Sequence, residues 1–140
     1  YGNAAVENKN LKPVATLKSV ISQIHTMEAG ETVGYNRAYK ALAHEKTATI
    51  PIGHADGISR AYGKGIGWVT INNQKAPIVG NVCMDMLMVN ITGIPCKEGD
   101  VVVVFGENPT AQQLAEAVNS IPYELLTAIS QRIKRVVCRK

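Results

Sequence analysis

Two tyrosines, Tyr35 and Tyr39, stand four residues apart on either side of Arg37 in the segment 30–39, GETVGYNRAY. The flanking glycines predict a loop after a strand, and loops on a rigid sheet are where reacting groups tend to sit. A tyrosine serves as a general base only if its pKa, about 10 in solution, is brought down. Working at neutral pH requires roughly 4 kcal/mol of preferential stabilisation of the phenolate, which a nearby cation can supply. Without such help, tyrosines in this setting are more often packing residues with one satisfied hydroxyl.

A second constellation lies at 50–60, IPIGHADGISR, where Gly53 and Gly57 bracket His54 and Asp56. Two ligand types without a third at suitable spacing argue against a metal, and no metal is expected. A turn whose polar side chains bond its own backbone is the commoner outcome. Gly63, Gly65 and Gly67 in YGKGIGW have the look of a phosphate-cradling loop, but the strand-like WVTI follows. The helix N-terminus that such a loop needs is missing, so a hairpin turn is preferred. The run GNVCMDM, 80–86, carries a thiol, two thioethers and an acid. With no cation close in the chain to activate it, Cys83 reads as a small core residue.

The elements that position these groups are mostly strands. The run ATLKSVISQIHT, 15–26, alternates apolar and polar residues and is β-branched. TATIPI, GWVTI, APIVGNV, MLMVNI and VVVVF behave similarly and are separated by Gly, Pro, Asn and Asp at turn-like spacing. Near the end, Thr110 followed by AQQLAEAVN predicts a helix with a capping box to Gln113, and PYELLTAIS a second short helical turn. RIKRVVC then reads as a final strand. The class expected is mainly β, a Greek-key-like β-barrel with two short helices near the C-terminus.

Composition bounds the function. The chain has 140 residues, 46% of them hydrophobic and 19% charged, enough for one domain with a real core. No segment approaches the roughly 20 apolar residues of a membrane span, and the first residues lack an export signal. Three cysteines far apart, Cys83, Cys96 and Cys138, fit neither a disulfide framework nor a Cys-x-x-Cys site, which favours a reducing cytoplasm. The net charge is +4, with Arg132, Lys134, Arg135, Arg139 and Lys140 gathered at the end. A solvated strand edge is the simpler reading of that cluster. The alternative, a basic β-barrel binding nucleic acid, lacks the aromatic platforms that single-strand binders use, because only 5% of residues are aromatic.

Taken in order, AGETVGYNRAY, ATIPIGHADGISR, NNQKAPIVGNVCMDM and NSIPYELLTAISQRIKR resemble the C-terminal domain of alanine racemases along nearly all of 17–137. The resemblance divides the chain into a lead-in, 1–14, from a missing N-terminal TIM-barrel domain and the C-terminal β domain, 15–140. It implies an isomerase that interconverts L- and D-alanine for peptidoglycan, with pyridoxal 5'-phosphate held mainly by the barrel domain. It also implies a homodimer packed head to tail, each β domain closing its partner's barrel mouth, and an isolated domain that is inactive. Some members are fused to a cell-wall ligase.

By the same resemblance Tyr35 is the base on one face of the substrate, and a barrel lysine serves the opposite face. Inversion at a carbon needs a base on each side. Met84 corresponds to the position whose backbone meets the substrate carboxylate; Asp85 and Arg60 correspond to positions along the substrate access channel. Three positions depart from the common pattern. His54 replaces a tyrosine near the substrate, with an imidazole that still donates a hydrogen bond but is titratable. Gln131 stands in place of a tyrosine that touches the cofactor phosphate, and Asn81 occupies a channel position that is often arginine. These departures bear on substrate scope and turnover more than on reaction type.

Overall fold

The computed structural model describes residues 14–33, 39–40 and 44–138. Among the described residues nine strands run in chain order: β1 Leu17–Val20, β2 Gln23–Met27, β3 Thr32–Val33, β4 Tyr39–Lys40, β5 Glu45–Ile50, β6 Trp68–Ile71, β7 Gln74–Val79, β8 Leu87–Asn90 and β9 Val101–Phe105. Seven of them form one antiparallel sheet in the order β1-β9-β6-β7-β8-β5-β2, while β3 and β4 pair with each other.

The two edges of that sheet, β1 and β2, are consecutive in the chain. Only Ile21 and Ser22 separate them, and these reach both sides: Ile21 N–H donates to Asp100 O at 3.0 Å and Ser22 N–H to Thr49 O at 2.9 Å. A seven-stranded sheet whose opposite edges are two residues apart has to curl round, and it does so as a half-barrel. The segment 15–26, read as a single strand, is therefore two. β7 bridges the halves, pairing with β6 along most of its length and with β8 through Ile78 and Val79.

The alternation expected from the sequence sets the core. Leu87 and Val89 of β8, Val102 and Val104 of β9, and Val69 and Ile71 of β6 turn inward with Ile50 and Ile78. Asn72 and Asn73 close the β6–β7 hairpin with φ of 49° and 63°, the paired left-handed conformation of a two-residue turn that asparagine tolerates.

Two short helices, α1 Ala111–Ala117 and α2 Pro122–Ala128, cover one end of the core through Leu114 and Leu125. The capping box is as expected: Thr110 Oγ1 accepts from Gln113 N–H at 3.1 Å and Gln113 Oε1 accepts from Thr110 N–H at 2.9 Å. The mainly β class with two terminal helices is thus what the chain adopts. The final strand is not. Residues 133–138 follow α2 without ladder pairing among the described residues, and the Arg135 side chain turns back to donate to the carbonyls of Ile129, Ser130 and Ile133.

Candidate active site

The end of β5 runs into Gly53 and a 3-10 turn, His54–Asp56. Asp56 builds that turn by accepting the Gly53 N–H on Oδ2 at 2.9 Å, which is the self-bonded turn that the sequence favours. Gly57, at φ 109°, ends it in a left-handed conformation.

The β7–β8 loop is laid directly against this turn. His54 N–H donates to Cys83 O and Ala55 N–H to Met84 O, each at 2.8 Å. So close an approach requires glycine at 53, since a Cβ there would lie 2.7 Å from both Met84 O and Met86 N and nearer still to Cys83 O. Met84 is consequently held by its carbonyl and left 61% exposed. Its N–H has no acceptor among the described residues.

A third segment arrives from the end of α2. Ser130 N–H donates to Asp56 O at 3.0 Å. Arg132 then reaches both of the other segments: its Nε donates to Asp56 Oδ1 at 2.7 Å and its Nη2 to Asp85 Oδ1 at 3.0 Å. The Asp56 side chain is only 6% exposed, and the Arg132 hydrogen bond, then the Gly53 N–H, hold its carboxyl below the usual aspartate value against the opposing effect of burial. The two acids push Arg132 above its ordinary value in turn. With both oxygens of Asp56 occupied by N–H donors, the turn is organised around a guanidinium. Among the described residues no three His, Cys, Asp or Glu side chains cluster as ligands.

The structure therefore brings together His54, Met84 and Asp85, with Gln131 next to Arg132 in the chain. His54 and Gln131 are exposed. Arg60 and Asn81 lie on a neighbouring pair of turns. Arg60 opens the 3-10 turn Arg60–Tyr62, and Gly63 behind it sits so near the other turn that a Cβ would be 2.7 Å from Gly80 O and 3.3 Å from Asn81 Cα. Gly63, Gly65 and Gly67 thus make a tight turn between Arg60–Tyr62 and β6, but not the hairpin turn expected, because β5 and β6 are not paired in the sheet. Tyr35 and Arg37 lie outside the described residues, in the connection between the paired strands β3 and β4. Tyr62 is no substitute base: it is 5% exposed, and burial, followed by the charge of Glu124, pushes its phenol above the ordinary value.

Sequence reasoning missed Arg132, assigning it to a solvated basic edge. Its partners are 76 and 47 residues away, so no local pattern announces them. With Arg132 held by two acids and Arg135 by three carbonyls, the basic cluster is partly spent within the chain. Trp68 is likewise engaged, with Lys75 Nζ 4.1 Å from its ring centroid. Cys83, Cys96 and Cys138 are free thiols. No helix among the described residues is long and apolar enough to cross a membrane.

Residues 14–137 match the family described as alanine racemase, C-terminal domain. The chain is 41% identical over 140 residues to alanine racemase 1 of Clostridium acetobutylicum, covering 96% of this chain but 36% of that protein. The alanine racemase structure from Acinetobacter baumannii superposes with a TM-score of 0.84 at 37% identity, over 93% of this chain and 36% of that one. That of Bartonella henselae, described with covalently bound pyridoxal phosphate, gives 0.82 at 33% identity, over 86% and 34%. The chain thus spans about a third of the length of the relatives it matches, and it belongs to the alanine racemase C-terminal domain family.

Proposed function

We propose that this chain is the β-domain half of a shared alanine racemase site, with Tyr35 as the base that exchanges the α-proton on one face of alanine. The observation that carries the reading is the convergence of 53–57, 83–86 and 129–132 on one exposed surface. There the Met84 N–H lacks an acceptor among the described residues while its carbonyl is tied to Ala55. An amino acid presents a carboxylate, and a fixed backbone donor is what orients one.

These residues form a wall and not an enclosed pocket, because His54, Met84, Asp85 and Gln131 are all exposed. Pyridoxal phosphate fits such a wall as a rim contact: the Gln131 amide has no partner among the described residues and suits a phosphate oxygen. When bound, held by the barrel domain, that cofactor supplies the electron sink that makes the α-proton removable.

The tasks of this chain are then positional. Met84 N–H takes the carboxylate, and His54 donates beside the substrate. Arg60, Asn81 and Asp85 line the approach. Tyr35 takes the proton from L-alanine and returns it in the reverse direction, while a lysine of the barrel domain serves the other face. We extend the reading to head-to-tail pairing in a cytoplasmic homodimer whose product serves peptidoglycan synthesis. The relatives compared carry the racemase name alone, so the reading does not extend to a ligase fusion.

The test is Tyr35→Phe in the full-length protein. A general base contributes on the order of a hundredfold or more, so turnover falls by about that factor, more in the direction that starts from L-alanine, with cofactor loading retained. Unchanged rates in both directions would remove Tyr35 from the mechanism.

A further inference from the structure

Arg132 uses its planar fork on two carboxylates of different standing. The Asp56 arm closes an ion pair on the His54 turn that is buried on one side, with the Asp56 side chain 6% and the Arg132 side chain 51% exposed. The Asp85 arm is different: the Asp85 side chain is 67% exposed, and exposed pairs contribute little to stability. Its consequence is electrostatic. Asp85 directly follows Met84, whose N–H is without an acceptor among the described residues. A free carboxylate beside that donor would repel any anion approaching it.

We infer that Arg132 is a positioning residue that sets affinity for the anionic substrate: anchored on Asp56, it pins and neutralises Asp85 so that the Met84 donor remains open to a carboxylate. The inference rests on the racemase reading given above. The same loop carries a neutral amide, Asn81, and no Lys or Arg, so the burden falls on Arg132. The guanidinium fork is suited to it because Nε and Nη2 address two acceptors at once, which a lysine ammonium on a flexible stem does less well.

The experiment is a substitution cycle in the full-length protein, reading KM and kcat for L-alanine together with cofactor absorbance. Arg132→Gln exposes the Asp85 charge and raises KM about tenfold, an effect that salt diminishes, with kcat within about threefold of wild type. Adding Asp85→Asn to that variant restores KM to within about threefold, because the repelling charge is gone. A merely structural role for Arg132 would not be rescued in this way. Asp85→Asn alone keeps the Asp56 pair and lowers KM, because the second arm of the guanidinium is then left uncompensated beside the donor. The inference is overturned by an unchanged KM in Arg132→Gln, by a raised KM that the double variant does not recover, or by a KM that does not fall in Asp85→Asn alone. Absence of alanine racemisation by the wild-type full-length protein is a distinct result, which removes the racemase reading and the inference with it.

Discussion

Gly53 and Met84, 31 positions apart in the chain, are in backbone contact: a Cβ on the glycine would stand 2.7 Å from the Met84 carbonyl oxygen. That contact lets the His54 turn and the Met84 loop share two 2.8 Å hydrogen bonds. Gly53 has an extended backbone, φ −153°, which any residue adopts, so the requirement for glycine is space alone. Gly53→Ala therefore has to push the two loops apart. Overpacking of this kind costs about 1–3 kcal/mol, and urea unfolding of the variant will show a loss in that range. A midpoint equal to wild type would mean that the loops separate without cost.

Acid should weaken the same junction through Asp56. Its folded-state pKa lies below the unfolded value, with the Arg132 hydrogen bond as the largest cause. The stability it contributes is therefore fully present above the unfolded value, about 3.9, and is lost as pH falls through the folded value. Asp56→Asn will show a flatter dependence of unfolding free energy on pH below about pH 4 than wild type. Parallel curves for the two proteins across that acid range would contradict the assignment.

One buried polar atom carries a different expectation. Thr47 of β5 is fully buried, and its Oγ1 has no partner among the described residues. Leaving a hydroxyl unsatisfied costs about 1–3 kcal/mol, so Thr47→Val, nearly the same shape, stabilises the chain by about 1 kcal/mol. A destabilised valine variant in thermal unfolding would show that the hydroxyl is in use.

The features legible in the sequence are those set by neighbours in the chain. The Thr110–Gln113 capping box and the Asn72–Asn73 turn each need only a few residues to be specified. So does the Gly53 N–H to Asp56 bond within the turn. What stayed hidden depends on distant partners. The run 15–26 gives no sign that Ile21 and Ser22 join opposite sheet edges, because that follows from Asp100 and Thr49. The last segment, RIKRVVC, reads as a strand, yet Arg135 folds back onto nearby carbonyls and no ladder forms among the described residues. Arg132 was placed on a solvated edge because charge alone cannot reveal acids at 56 and 85.

The central claim is that the base borne by this chain completes a site belonging to another subunit. Mixing two inactive full-length variants tests it directly: one carrying Tyr35→Phe, the other lacking the cofactor lysine of its barrel domain. In a two-fold dimer exchanged between them, one site of each hybrid regains both an intact barrel lysine and an intact Tyr35, so activity returns to about a quarter of wild type. No recovery after verified subunit exchange would mean that Tyr35 does not serve the partner's site.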